Sequence, residues 1–385
     1  MRIAFVVRNI WGLGGTIKAA LNTAAALADA GHQVTVVSCV RNRKQPLFEH
    51  DRRIEVVDLV DTRAPDQGGH RRLGLDRLAA GRPSPLGGDL DMEGAGSSAL
   101  LDKRLARWLR RTDADAVVGT HPGVNRRLAA FARPETRLIA WEHAYLDRHK
   151  AAVRKRILAD YPRFDAIVTG TEADALAYRE ALGGFKGTVA AIPNLVPAVE
   201  PGQGGADADG PVVMAAGRLV KEKGFDVLIR AFSKVADRRP EWRLRIYGKG
   251  GQKRELQQLI EDTRTEGRVE LAGSPVPLDA EWGRAAVAVV PSRHESFGLT
   301  LVEAMSAGLP VIAADAPHGP REIIEPGQNG LLVEVGDVYA MAEALDRLMG
   351  DPGLRDKLAA AGRATAAGFE PSRVVGRWRD VLAGD

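Results

Sequence analysis

The chain is expected to be an α/β protein with two Rossmann-like domains facing a cleft. Short, nearly continuous apolar runs alternate with segments of helical period along most of its length, the mark of a parallel sheet covered on both faces. The alternation breaks at the polar, Gly- and Pro-rich stretch "PAVEPGQGGADADGP" (Pro197 to Pro211) and then restarts. A length of 385 residues also exceeds what one hydrophobic core ordinarily holds.

In the first half, "RIAFVV" (Arg2 to Val7) is the opening strand, and "WGLGGT" turns the chain into "IKAALNTAAALADAG". That segment is apolar at helical period and closes on Gly31, a glycine placed to end a helix. "QVTVVS", "IEVVDLV", "DAVVGT", "RLIAWEH", "DAIVTG" and "TVAAIPN" read as the strands that follow. Asp61 to Ser98 is rich in Gly, Pro, Asp and Arg, shows no periodicity, and is expected to form a long loop. In the second half "VVMAAGR", "WRLRIYGKG", "RVELAG", "VAVVPS", "PVIAAD" and "GLLVEV" are strands separated by helical segments. The expected division is residues 1–198, a linker over 199–210, and a second domain over 211–370. A last helical segment, "PSRVVGRWRDVLAG", follows, and pattern alone leaves open which domain it joins.

Hydrophobic residues make up 45% of the chain and charged residues 27%, the balance of an ordinary globular protein. No apolar run reaches the ~18 residues of a membrane span. The opening "MRIAFVVRNIWGLGG" lacks the apolar length and cleavage pattern of a secretion signal. A single cysteine, Cys39, excludes an internal disulfide framework and a cysteine-based metal cluster. A cytoplasmic protein is expected. A net charge of +4 does not by itself point to nucleic acid. Cations do cluster at helical spacing in "DKRLARWLRR" (Asp102 to Arg111) and "DRHKAAVRKR" (Asp147 to Arg156). Such runs form a solvated helix face, or a surface for an anionic membrane or a phosphate-bearing molecule.

Three stretches can carry chemistry. "GLGG" (Gly12 to Gly15) lies between the first strand and its helix, where glycines permit close backbone approach and the helix N-terminus attracts anions. No acidic residue clearly ends the second strand to hold an NAD ribose, so a nicotinamide cofactor is weakly supported. "GRLVKEKG" (Gly217 to Gly224) follows a strand end, and Arg218 with Lys223 suits a diphosphate. "HESFGLTLVEAMSAGLPVIAAD" (His294 to Asp315) holds Glu295 and Glu303 in an otherwise apolar setting. There Phe297, Gly298 and Leu299 would offer backbone N–H groups at a helix start.

"ESFGLTLVEAMSAGLPVIA" resembles the E-x7-E signature of the GT-B-fold retaining glycosyltransferases of family 4. "GRLVKEKG", "IYGKG", "SPVPLDAEW", "VVPS" and "GLLVEVGD" agree with that family in order, and the resemblance extends over essentially the whole chain. It implies transfer of a sugar from a nucleotide diphosphate donor with retention at the anomeric carbon. Arg218 and Lys223 would bind the diphosphate, Glu303 the ribose and Glu295 the donor sugar. Amides of Phe297, Gly298 and Leu299 would complete the donor site, with Gly14 and Gly15 close to the phosphates. Pro275 and Val276, in "SPVP", would read the base through backbone groups. The family's active-site histidine follows a strand of the first domain. His143 fits that place better than His121. The terminal helix, 371–385, would cross to complete the first domain.

The resemblance further implies a UDP-sugar donor, with GDP-mannose as the alternative, and no metal or other cofactor. "DLD" (Asp89 to Asp91), "DAD" (Asp113 to Asp115) and "DAD" (Asp207 to Asp209) look like the acid pairs of metal-dependent transferases but fall outside the matched motifs. The acceptor is open: lipid-linked, phosphate-bearing or a small soluble molecule, with peripheral contact to an anionic membrane suggested by the basic runs. A sugar-nucleotide epimerase or phosphorylase of the same plan, and a nonenzymatic nucleotide-sugar binding protein, are the competing functions.

Overall fold

The computed structural model describes residues 1–64, 66, 68–69, 74–87, 98–199, 210–275 and 278–384. The chain divides into two units, one of Met1–Leu195 with Val374–Asp385 and one of Val196–Arg373.

The first unit is built on β1 (Arg2–Val7), β2 (Gln33–Arg41), β3 (Glu55–Asp61), β4 (Ala116–Gly119), β5 (Arg137–Trp141), β6 (Ala166–Thr169) and β7 (Thr188–Ala191). Among the described residues these strands pair in parallel, in the order β3-β2-β1-β4-β5-β6-β7. The helices α1 (Gly15–Asp29), α2 (Gly74–Gly81), α3 (Ala99–Arg111), α4 (Pro122–Phe131), α5 (Ala151–Asp160) and α6 (Glu172–Ala181) connect them. Gly31, at φ 86°, ends α1, and the N–H groups of Gly31 and His32 bond back to the carbonyls of Ala28 and Leu27. Ser98 and Thr171 cap α3 and α6 by accepting from Leu101 and Asp174 N–H.

Val6, Val37, Val117, Leu138 and Ile167 of the strands are buried with Leu101, Leu105 and Leu128 of α3 and α4. Burying each such side chain contributes about 1.5–3 kcal/mol. Trp378 of the C-terminal helix Pro371–Ala383 meets the rings of Phe5 and Trp141 edge-on, at 6.0 and 4.7 Å between centroids.

The stretch from Asp61 to Ser98 departs from the expected loop, because α2 forms within it. Local pattern is too short to reveal two turns set among Gly and Arg. Tertiary contacts supply the stability. Asp76 accepts from Arg104 Nη2 at 2.9 Å and Lys103 Nζ at 3.0 Å, and these cations, Arg104 foremost, lower its carboxyl to about 2. Ala79 and Ala80 pack on the core beneath.

The second unit runs β8 (Val212–Ala216), α7 (Phe225–Ala236), β9 (Arg243–Tyr247), α8 (Lys253–Asp262), β10 (Val269–Leu271), α9 (Asp279–Trp282), β11 (Val287–Val290), α10 (Leu299–Ser306), β12 (Val311–Ala314), α11 (Gly319–Ile323), β13 (Leu331–Val333), α12 (Val338–Gly350) and α13 (Pro352–Ala366). Among the described residues its parallel sheet has the order β10-β9-β8-β11-β12-β13. One face is closed by Leu228, Phe232 and Leu345, the other by Trp282, Val302 and Met305. The expected α/β class with two Rossmann-like domains is what the chain adopts. In each sheet the strand order reverses once, between β1 and β4 and between β8 and β11. Loops at the carboxyl ends of those strands border the crevice where ligands of open α/β sheets bind.

Candidate functional site

In the second unit the site is framed by the loops after β8 and β11, neighbours because Val213 and Met214 pair with Val287 and Ala288. The loop after β8 makes a tight turn at Lys221–Lys223 and reverses at Gly224, at φ 67°. A Cβ at that position would stand 2.0 Å from the Pro291 carbonyl oxygen at the end of β11. Glycine therefore allows both the left-handed turn and the direct contact of the two loops. Arg293 joins them again, its two terminal nitrogens each 2.7 Å from an oxygen of Asp226 in the first turn of α7. The Arg293 N–H also donates to the Glu222 carbonyl at 2.8 Å.

This framework brings Lys223 Nζ to 2.6 Å from Glu295 Oε2, and Ser292 Oγ donates to the same oxygen at 3.1 Å. Arg218, exposed at the end of β8, has no side-chain hydrogen bond or ion pair among the described residues. The loop after β9 lies against the same turn: Leu219 N–H donates to the Lys249 carbonyl at 3.0 Å. Phe297 is 5% exposed and packs edge-on against Phe369 at 5.5 Å. Gly298, at φ 104°, starts α10 and offers no side-chain cap to the first N–H groups of that helix, Leu299 among them. Glu303 lies in the second turn and is 6% exposed. The backbone at Glu295 pairs in a single parallel β-bridge with that at His318, ahead of α11. Pro275 is half-buried in the loop after β10, and Val276 lies outside the described residues.

The remaining sequence-derived candidates belong to the first unit. Gly14 and Gly15 open α1, and Gly14 provides no side-chain cap. His121 caps α4 through Nδ1, which accepts from Gly123 N–H at 3.1 Å. His143 follows β5, with its ring 4.4 Å from that of Trp141. Burial, then the neighbouring His121, pushes the His143 imidazole down to about 3. Its Nε2 is buried and has no hydrogen-bond partner among the described residues. His143 is thus neutral over the working range, and its folded form is favoured above the unfolded value near 6.5. That contribution is lost as pH falls below this value towards 3. Of the acid pairs, Asp113 and Asp115 bind Arg2 at 2.6 and 3.2 Å, a tie between β1 and the start of β4. Asp89 to Asp91 and Asp207 to Asp209 lie outside the described residues.

Sequence reasoning missed Ser292, the Arg293–Asp226 clamp and a buried polar group beside His143. Ser292 stands three residues before Glu295 and could have been suspected; the clamp could not, because Arg293 and Asp226 are 67 residues apart. In the buried group, Asn125 Nδ2 donates to Glu142 Oε1 at 2.9 Å, and the Tyr161 hydroxyl donates to the same oxygen. Nearby Asp174 accepts from Leu146 N–H at 2.8 Å. Burial, with Glu142 adding to it, raises the Asp174 carboxyl to about 7. A carboxyl raised on folding favours the folded chain below its unfolded pKa, and that advantage is lost as pH rises from 3.8 through 7. Asp174→Asn, which keeps the acceptor oxygen, is expected to stabilise the protein at pH 8 by up to a few kcal/mol. At pH 4 it should change little. Urea midpoints at both values check this, and equal effects at the two would refute it.

Two family models match the chain: Glycosyl transferases group 1 over residues 199–365, and Glycosyl transferase 4-like domain over residues 14–195. An exopolysaccharide phosphotransferase of Streptomyces coelicolor is 34% identical over 99% of this chain, which spans only 40% of that protein's length. The lipopolysaccharide core biosynthesis glycosyltransferase LpsE of Rhizobium meliloti is 30% identical over 67% of this chain and 78% of its own. Among solved structures, the pneumococcal O-GlcNAc transferase GtfA in complex with UDP and GlcNAc superposes with a TM-score of 0.78. It is 17% identical and is covered over 98% of its chain by 100% of this one.

Proposed function

The chain belongs to the glycosyl transferases group 1, and we propose that it moves a hexose-type sugar from a nucleotide diphosphate donor to a hydroxyl acceptor with retention at the anomeric carbon. The observation that carries this is the grouping of Arg218, Lys223 and Glu295 at the β8/β11 crevice, with Lys223 and Glu295 2.6 Å apart. Departure of a nucleoside diphosphate builds negative charge, and preorganised cations and amides act most strongly where charge develops. Arg218 would fork two diphosphate oxygens, while Lys223, held in place by Glu295, acts as a point charge. The amides of Gly298 and Leu299 at the uncapped start of α10 would meet oxygens of the donor, and Glu303 would accept from the ribose hydroxyls.

Glu295 uses Oε2 for Lys223 and Ser292, which leaves Oε1 to face the sugar. The leaving phosphate would take the acceptor proton on the same face as the new bond, so no nucleophilic carboxylate is invoked. A retaining glycosidase, in contrast, needs two carboxyl groups about 5 Å apart. Positive charge from Arg218 and Lys223 serves where other transferases use a divalent ion, so we assign no metal or other cofactor. UDP is the preferred nucleotide, supported by the UDP in the GtfA complex. GDP-mannose is the alternative. Pro275 and Val276 would contact the base, Gly14 and Gly15 the phosphates, and His143 the reacting sugar or acceptor.

We assign a phosphate-bearing or lipid-linked acceptor, in the cytoplasm and with peripheral contact to anionic membrane. The phosphotransferase relative and the exposed Arg107, Arg110 and Arg111 on α3 support this. So do Leu75 and Leu78 of α2, 75% and 59% exposed. Among the described residues no helix is long and apolar enough to cross a membrane. Flotation with anionic vesicles at low salt should carry the protein upward, and its failure to do so would remove the membrane contact.

The donor is tested by thermal unfolding with UDP, GDP, ADP and NAD, each with and without magnesium. UDP at 100 times its Kd is expected to stabilise the chain by about 2.7 kcal/mol, with no dependence on the metal. A response to NAD alone, or to none of the four, would overturn the donor assignment.

A further inference from the structure

We propose that Asp58, acting through Trp11 and Arg41, is a positioning group that holds the glycine loop Gly12–Gly15 ready for the transfer step. This rests on the assignment of that loop to the donor phosphates. Its structural basis is a latch across three adjacent strands. Asp58 of β3 accepts the Trp11 indole N–H through Oδ1 at 2.7 Å and pairs through Oδ2 with Arg41 Nη1 at 3.2 Å. Arg41, the last residue of β2, stacks its guanidinium on the Trp11 ring at 3.8 Å from the centroid. The other arms of Arg41 donate to the carbonyls of Arg43 and Lys44 at 3.2 and 2.9 Å, so this arginine is fully engaged as a brace.

Backbone ties fix the same residues from below. Ile10 N–H donates to Ser38 Oγ at 3.2 Å, Val40 N–H to the Arg8 carbonyl at 3.2 Å, and Trp11 N–H to Asn9 Oδ1 at 2.8 Å. Trp11 is 7% exposed and Ile10 1%. Immediately downstream, Leu13 is 40% exposed, and among the described residues a Cβ on Gly14 would meet no atom within 4 Å. The loop therefore passes within two residues from a fixed side chain to an open, glycine-rich stretch that leads into the uncapped start of α1. Glycines lose more freedom on ordering than other residues. Anchoring the residue before Gly12, with α1 anchoring the one after Gly15, leaves few torsions to order when the reacting groups meet.

The test compares Asp58→Ala, Asp58→Asn and Trp11→Phe with the parent chain, measuring kcat, donor KM, the thermal midpoint and the midpoint shift given by UDP. Asp58→Ala is expected to lower kcat about tenfold or more, since small misplacements of reacting groups are costly. Asp58→Asn should recover part of the loss, because its amide oxygen can still accept the indole N–H. The UDP-induced shift should shrink at most in part and persist in every variant, because the Arg218, Lys223 and Glu295 group that binds the diphosphate lies in the other unit.

Trp11→Phe keeps the ring for Arg41 and removes only the N–H. It carries the test if Asp58→Ala does not fold, with a reduced kcat again expected. A kcat within about twofold of the parent in the folded variants would overturn the proposal, as would a loss that merely tracks the thermal midpoint. Absence of a UDP shift in the parent itself would instead refute the donor assignment.

Discussion

Replacing Lys223 by alanine is expected to lower kcat by about 10²- to 10³-fold, the loss seen when one preorganised partner of a developing negative charge is removed. The same substitution leaves Glu295, with its side chain 15% exposed, without its cation. Glu295→Gln should also reduce kcat strongly, because it weakens the hold on Lys223 as well as the carboxylate's contact with the sugar. At a separation of 2.6 Å the two side chains act as a unit. The double variant should therefore lose far less than the product of the single losses. Circular dichroism and the thermal midpoint separate this from unfolding. A Lys223→Ala chain with full turnover would remove the diphosphate from this loop, and strictly multiplicative effects would mean that the pair does not work together.

Gly224→Ala is expected to cost about 2–4 kcal/mol of stability, from a left-handed alanine together with overpacking. Its Cβ would stand 2.0 Å from the Pro291 carbonyl oxygen, which is backbone at the end of β11 and has no rotamer by which to withdraw. Relief of that contact would separate the loops after β8 and β11, and Lys223 is the residue before Gly224. Turnover should fall together with stability. Gly251→Ala is the control: a Cβ there meets nothing within 4 Å, so it should stay within about 0.5 kcal/mol of the parent. Chemical denaturation of both variants checks the contrast, and equal midpoints would show that the two loops are not in tight contact.

These expectations depend on interactions of different legibility. The strands of both sheets were visible in the sequence because most are apolar runs bounded by turn residues, the form that buried parallel strands take, while β9 alternates apolar with charged residues. Helix α1 was visible through its period and Gly31, whose positive φ satisfies a known chain ending. Helix α2 was not. Asp76 is bridged by Lys103 and Arg104 from α3, and partners 27 and 28 residues away leave no local trace. Of the site residues, Lys223 and Glu295 could be nominated separately from the chemistry of their types beside strand ends. That they meet could not, since they stand 72 positions apart in the chain.

What the sequence alone determined, then, is the α/β class, the restart of the pattern halfway along the chain, and the set of loops that carry charge beside glycine. All of these follow from short-range rules of periodicity and backbone freedom, which act over a few residues. Tertiary structure decided the rest: which strands are neighbours at the β8/β11 reversal, that Glu295 grips Lys223, that Arg293 clamps Asp226, and that Asp58 braces Trp11. Hydrogen bonds and ion pairs have a reach of about 3 Å. Only packing of the sheet fixes which distant residues come within it.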